Sequence, residues 1–420
     1  HSHSRSFIRL LPRSRVELGC DCRRAVTEVV LMADVSIATF NVLAACYKRE
    51  AVCQHDAGHG RGHRYRTEAH DPALYLPRLD ALSTLLASLH PPHSDACDLV
   101  CLQEFWTSAP SDGDDDADGG GGRVVLVGFD HDRELRSVVT RAVTRALPDH
   151  RGYVLPRPSS CFPIVGRSED GVAIFVHRRL QVADVASLDM GDCGRRCALL
   201  LRLELPAARD PAREPPSPSS PSRKRWLLCV NTHLTFPHGM IDGWMRRGQV
   251  RKLLAWIDDY VARGRASHTD NPCGWFDAAD TLDVVLAGDF NGDLTDAAVR
   301  QVLEARYTPL YPEAHDGRAM LVSHRDHHSR LVAVDHLFLR RFDHRQAPVR
   351  VTTATDSAEQ RLCVEWCELF PLDEPDDGSW PVEFTVSDHR PVVAALRFRS
   401  LIEDSSRQLS RTADCVSPRL

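Results

Sequence analysis

Residues 284–291 read VVLAGDFN, a β-branched apolar run closed by a glycine, then an acid and an amide with one residue between them. β-Branched residues fit a pleated, buried strand, so 282–287 reads as one. Asp289 and Asn291 stand two residues apart, which puts both side chains on one face of an extended segment. Burying such groups without partners is costly. The pattern recurs along the chain. Asn41 follows IATF, Gln103 and Glu104 follow DLVCL, and Asn231 and His233 follow LLCV. Asp335 interrupts LVAVDHLFL, and Asp388 and His389 interrupt TVSDHRPVV. Singly, each has a plain reading: an Asn after a strand is ordinarily a turn residue, and Asp335 alone is a strand-end cap. Together they imply strand ends that converge on one polar site.

The surrounding pattern is α/β. Strand-like runs occupy 35–42, 98–102, 171–176, 199–205, 227–230, 331–339 and 392–398. Leu76, Leu79, Leu82, Leu85, Leu86 and Leu89 give helical spacing over 74–89, which Pro91 and Pro92 stop. A second helix lies within 124–147, and a third spans 248–261 on Val250, Leu253, Leu254, Ile257 and Val261. No internal repeat appears and no linker separates two self-sufficient halves. These features favour one large α/β domain with mixed sheets over 32–400. Residues 107–123 and 206–225 are low-complexity insertions expected to be exposed and dispensable, and 401–420 is a polar tail. Residues 1–31 carry six Arg, no Lys and three acids. They read as a transit-type extension or, preferably, as upstream sequence carried by a gene model, and are set aside from the fold.

Composition bounds the function. With 52 Lys and Arg against 58 Asp and Glu, the net charge of −6 argues against a protein that simply grips nucleic acid. Metal ions can supply the missing positive charge to an enzyme that handles phosphate. A 43 % hydrophobic content supports a real core and excludes global disorder. No apolar run approaches the roughly 20 residues that span a bilayer. The 14 Cys include no C-x-x-C pair, and Cys101 and Cys229 lie in apolar runs, so most read as reduced, buried thiols. The expected location is cytoplasmic or nuclear, or organellar if 1–31 is a genuine transit peptide. Asp114, Asp116, Asp118 and Gly119 match half a calcium loop, but its twelfth position is Val125, where a bidentate Glu is required. They read as a solvated acidic loop. His55, His59 and His63 are interleaved with glycines, which disfavours a helical zinc site. Phe105 and Trp106 read as packing residues, with base stacking the alternative.

Seven motifs then fall into place: FNVLA (40–44), LQE (102–104), DGVAIF (170–175), NTHL (231–234), GDFN (288–291), VDHLF (334–338) and SDHRPV (387–392). In this order the chain resembles the endonuclease/exonuclease/phosphatase superfamily, the group that includes deoxyribonuclease I. The resemblance implies a four-layer α/β/β/α sandwich of two mixed sheets flanked by helices. It also implies phosphate-ester hydrolysis with one or two Mg²⁺ or Mn²⁺ ions. Carried over residue by residue, Glu104 would hold the metal with Asn41 beside it, and Asp388 would serve a second ion. Asp289 would orient and deprotonate water, and Asn291 would hold water or phosphate. His389 would donate to a phosphate oxygen, with Asp335 fixing its tautomer, and His233 would contact the phosphate or the leaving oxygen. The SHRDHHSR loop (323–330) would bring His324 and Arg325 to the substrate phosphate.

FNVLA, NTHL and GDFN look most like the carbon-catabolite-repressor-type deadenylases, which trim RNA from its 3′ end. NTHLTFPH (231–238) and VSHRDH (322–327) resemble plant relatives of that group. The expected partner is therefore a nucleic acid, RNA first. LQEFW also resembles neutral sphingomyelinases, which makes a lipid headgroup the alternative. The inositol-polyphosphate 5-phosphatase motif near Asp335 is missing, and the basic loops of an abasic-site endonuclease are not evident. A non-catalytic binding module is the remaining reading. It fits poorly, because Glu104, Asp289, Asn291, Asp335 and His389 are all present.

Overall fold

The apolar runs pair into two mixed sheets in the computed structural model. It describes residues 34–45, 47–51, 65–68, 72–92, 94–106, 124–127, 138–157, 170–206, 224–237, 239, 241–265, 274–276, 280–311, 322–342, 360–372, 380 and 384–400. The expectations for 1–31, for 401–420, for His55, His59 and His63, for the acidic 114–119 and for most of both insertions lie outside these residues. In chain order the first half contains β1 (Val35–Asn41), β2 (Arg49–Ala51), β3 (Tyr65–Thr67), α1 (Pro72–Ser88), β4 (Leu99–Gln103), β5 (Val125–Val127), α2 (Val138–Ala146), β6 (His150–Pro156) and β7 (Gly171–His177). Then follow β8 (Gln181–Asp189), β9 (Cys197–Leu205), β10 (Arg225–His233), α3 (Asp242–Gly264), β11 (Thr281–Asp289) and α4 (Ala297–Glu304). The chain closes with β12 (Thr308–Pro309), β13 (His324–Arg325), β14 (Leu331–Val332), β15 (Asp335–Arg341), β16 (Gln360–Leu369) and β17 (Val392–Ser400).

One sheet has seven strands in the order β16-β17-β1-β4-β7-β6-β5, the other six in the order β12-β15-β11-β10-β9-β8. Each contains a single parallel pair, β1 with β4 and β10 with β11. Parallel neighbours finish at the same level, so Asn41 lies beside Gln103 and His233 beside Asp289. β15 runs antiparallel to β11, which sets its first residue, Asp335, opposite Asp289. β17 likewise begins at the level where β1 ends, with Val392 opposite Thr39. The polar interruptions of the sequence therefore collect at one end of both sheets.

Burial fixes the layers. Cys101 and Cys229 meet across the sheets, Sγ to Sγ 3.6 Å apart, within one core that also takes in Val250, Leu253 and Ile257 of α3 and Val299 and Val302 of α4. The other face of the seven-stranded sheet offers Ala38, Phe40, Val100, Leu102 and Phe175 to Leu79, Leu82 and Leu86 of α1 and to Val139 and Val143 of α2. At about 2 kcal/mol for each fully buried large apolar side chain, these faces dominate stability. The order of layers is α/β/β/α, as the resemblance implies. Cysteines 97, 101, 197, 229 and 367 are free thiols.

The structure revises several boundaries. The 331–339 run splits into β14 and β15, because the Ser323 hydroxyl takes the amides of Val334 (3.2 Å) and Asp335 (3.0 Å) out of the ladder. The 124–147 segment opens as strand β5 before α2. The insertion set at 206–225 ends earlier, since Arg225 begins β10 and pairs with Leu205. Lys224 is also ordered: its amide donates to Asp280 at 2.9 Å.

Candidate active site

Asp289 sits at the centre of the polar end and is 1 % exposed. Its Oδ2 accepts from Asn41 Nδ2 at 3.0 Å, and its Oδ1 accepts from the Asn291 amide at 2.8 Å. Burial pushes its carboxyl up from the usual range. The preceding Gly288 has φ +149°, and a Cβ there would meet Thr232 O at 2.1 Å. Only glycine lets β10 and β11 approach this closely and so bring His233 to Asp289.

The surroundings of His233 favour the neutral imidazole. Burial, then the nearby Arg196 and Arg157 cations, hold it well below its ordinary value. Arg196 Nη1 donates to His233 Nδ1 at 2.9 Å, which leaves the ring proton on Nε2. That Nε2 is 3.4 Å from Asp289 Oδ2 and 4.0 Å from Glu104 Oε1. Its strand neighbour Asn231 serves structure instead. Its oxygen accepts from Gln103 Nε2 at 2.7 Å, and its amide donates to Leu102 O and Ala173 O, both at 2.9 Å.

His389 is the opposite case. Burial alone would lower its pKa, but Asp335, followed by Asp388 and Asp289, raises it to about 10. Nδ1 donates to Asp335 Oδ2 at 2.8 Å. Nε2 lies 3.9 Å from both Asp289 Oδ2 and Asp388 Oδ1. The same Asp335 oxygen accepts from Ser323 Oγ at 2.7 Å. His324 packs its ring edge-on against His389 at 4.0 Å, and burial pushes its own pKa down to about 2. Arg325 is drawn elsewhere: its amide donates to Asp388 O at 2.9 Å, and its guanidinium stands over Trp380.

Glu104 takes a left-handed φ of 51° directly after β4. Its Oε2 accepts the Ala44 amide at 3.2 Å. Burial and the like charges of Asp170 and Asp388 raise its pKa to about 7. Like charges gathered in this way favour a divalent cation. Asn41 Oδ1 accepts from the Leu43 amide at 3.0 Å and keeps a second lone pair. Donor atoms of Asp289, Asp335 and His389 lie within 4.8 Å of one another, as do those of His324, Asp388 and His389. Both sets contain His389. Glu104, with Asp170 and Asp388 as like-charged neighbours, and Asn41 offer hard oxygen donors of the kind suited to Mg²⁺ or Mn²⁺.

The Endonuclease/Exonuclease/phosphatase family matches residues 38–389. The chain belongs to that family. Its members hydrolyse phosphoric esters, and the strand-end constellation lies within the matched segment. An uncharacterised calcium-binding protein of Arabidopsis thaliana is 26 % identical over 348 residues, which is 81 % of this chain. The chain spans 57 % of that relative's length. Among solved structures, the human Nocturnin catalytic domain with bound sulfate is 15 % identical, with a TM-score of 0.47, over 87 % of this chain and 94 % of that one. A functionally unknown conserved protein of Enterococcus faecalis is 13 % identical, with a TM-score of 0.47, over 87 % and 100 %. The mannosyl-6-phosphatase of Bacteroides thetaiotaomicron is 12 % identical, with a TM-score of 0.45, over 86 % and 99 %.

In this family member the end of the sheets brings together Asn41, Glu104, His233, Asp289, Asn291, Asp335, Asp388, His389 and His324. The arginine and serine partners were not singled out by sequence reasoning. Arg196 immediately precedes β9 in a polar segment, and Ser323 opens a His-rich loop, so neither breaks an apolar run. Asp170 carried the same signal as the others, an acid against a buried strand. It accepts from Tyr47 Oη at 2.9 Å and pairs with Arg157 at 2.8 Å. Phe105 is fully buried against Phe175, as a packing residue should be. Among the described residues no helix is long and apolar enough to cross a membrane.

Proposed function

We propose that the chain is a divalent-metal-dependent phosphodiesterase acting as a 3′–5′ exoribonuclease of deadenylase type. The observation that carries the hydrolase reading is the meeting of Glu104, His233, Asp289 and the Asp335–His389 pair at one end of both sheets. Asp289, its two oxygens fixed by Asn41 and Asn291, orients the attacking water and takes its proton. His389, held cationic by Asp335, donates Nε2–H to a phosphate oxygen as charge develops there. The neutral His233 offers Nε2–H from the other strand pair to the phosphate or the leaving oxygen. Glu104 would hold the cation with Asn41 beside it, and Asp388 stands where a second ion would be served. When bound, such a cation offsets the negative charge of the phosphoryl group.

The exoribonuclease reading draws support from the FNVLA, NTHL and GDFN motifs and from a cavity of about 400 Å³ beside the site. Asn291, His324, Phe236 and His327 are among its lining residues. The rings of Phe236 and His327 stand 5.8 Å apart, and ring faces of this kind can hold a nucleobase. The test is a substrate panel with Mg²⁺: poly(A) RNA, random RNA, abasic DNA, sphingomyelin and soluble nucleotide phosphates. The expected result is shortening of RNA from its 3′ end, abolished by EDTA and restored by Mg²⁺ or Mn²⁺. Full turnover in excess EDTA would overturn the metal-dependent reading. Cleavage confined to sphingomyelin would replace RNA with a lipid headgroup.

A further inference from the structure

The most exposed large apolar side chains among the described residues are Ile241, at 69 %, and Trp244, at 66 %. Three residues apart at the start of α3, they share a helix face. Arg247 and Arg251 continue that face three and seven residues beyond Trp244, and both are exposed. The opposite face is the one packed into the core, through Val250, Leu253 and Ile257. Asp242, the acid of the first turn, is turned inward and accepts the Gly239 amide. Exposing an indole and an isoleucine together to water is unfavourable unless something covers them.

The strip starts at the rim of the site. Arg246 Nη2 donates to Asp296 at 2.7 Å, and Gln249 Oε1 accepts the Thr235 amide at 3.1 Å. The first bond ties α3 to the cap of α4, and the second ties it to the segment after His233. That segment carries Phe236 and Pro237, which line the cavity together with Asn291, Asp296 and His324. We propose that Ile241, Trp244, Arg247 and Arg251 form a docking strip for a single-stranded nucleic acid whose end occupies the cavity. The indole stacks on a base beyond the cavity, and the two guanidiniums, about 6 Å apart along the helix axis, take successive phosphates. Charge complementarity selects this occupant: an aromatic face followed by cations, with no acid on that face before Asp258. An interfacial lipid-binding helix would carry apolar groups along its whole face, whereas here they are confined to the first turn.

This inference rests on the nuclease reading of the neighbouring site and deepens it. The test compares the whole protein with Trp244→Ala and with Arg247→Ala/Arg251→Ala. It uses a 20-residue single-stranded RNA, the same sequence as DNA, bis(p-nitrophenyl) phosphate, and vesicles containing phosphatidylserine. Trp244→Ala is expected to raise KM for whichever oligonucleotide is cleaved by about ten-fold, the size of one lost base stack. Hydrolysis of the small diester should not change. In an otherwise inactive Glu104→Gln background, the arginine pair should lower the slope of log K against log salt by about 1.4 for the single strand. Cleavage with an unchanged KM in both variants would overturn the strip alone. Loss of vesicle binding with oligonucleotide KM intact would make it a lipid anchor and also overturn it. Hydrolysis of the small diester by the unaltered protein, with neither oligonucleotide cleaved, would remove the nuclease reading and the strip with it.

Discussion

His389 and His233 are the same residue type within one site, yet their environments push them to opposite protonation states. Asp335 holds His389 as the cation, while burial and Arg196 keep His233 neutral. The division gives the site one fixed positive charge and one neutral donor, both within 4 Å of Asp289 Oδ2. His389→Ala should reduce the single-turnover rate by about 10³-fold or more, near 4 kcal/mol of barrier. Asp335→Asn should also be severe, because an amide no longer favours the cation. The double variant should be little worse than His389→Ala, since residues acting as a unit are not additive. Substrate affinity should change much less than rate, because Glu104 is untouched. Clean additivity would mean the two residues do not work as a pair, and a near-normal rate for His389→Ala would displace the site. These groups were legible in the sequence because each breaks an apolar run. Their partners Arg196 and Ser323 were not, because an arginine in a polar segment and a serine in a polar loop break nothing.

At the scale of elements, the runs with both faces buried were legible and the edges were not. β1, β4, β7, β10 and β11 are buried almost throughout, and continuous Val, Ile and Leu runs mark such strands. β8 is an edge strand of mixed exposure with no regular alternation, so QVADVASLD carries no signal. β16, at the other sheet's edge, reads QRLCVEWCEL, and a bulge between Val364 and Trp366 breaks its period. α4 spans 8 residues, too short to establish a helical period, and the structure reveals its Asp296 cap. α1 was visible from its leucines, but its anchoring role was not. Arg78 bonds both oxygens of Glu68, which is 1 % exposed, and also Val42 O, Leu43 O and Val386 O. It thereby clamps the segments next to Asn41 and Ser387. Arg78→Ala leaves Glu68, among the described residues, with Lys48 at 3.5 Å as its ion-pair partner, and should cost about 3–5 kcal/mol in urea unfolding. Arg78→Met with Glu68→Gln should cost clearly less, because no uncompensated charge remains buried. Equal losses for the two would show that the carbonyl contacts, not the ion pair, carry the stability.

At the scale of the molecule, the two parallel strand pairs put chemistry at one end of the sandwich and leave the other end free for variation. Leu205 and Arg225 are cross-strand partners in the β9–β10 ladder, so the intervening insertion joins two ends that are already side by side. From Arg225 to His233, β10 rises roughly 26 Å, which places Leu205 and Arg225, the ends of this connection, far from the reacting groups. The Pro- and Ser-rich composition of 206–223 offers little apolar surface to bury. Replacing 208–222 with a two-residue turn, while keeping Lys224 and Arg225, shortens the loop by about two doublings. The closure entropy saved is ~1 kcal/mol in favour of the folded state. Thermal unfolding should then occur at the same temperature or a few degrees higher, with catalytic rate and KM within two-fold of the full chain. A fall in melting temperature of more than about 5 °C, or a collapse in soluble yield, would mean that the insertion packs on the sandwich. A rise in KM with stability unchanged would instead mean that the segment reaches the substrate across the length of the sheet.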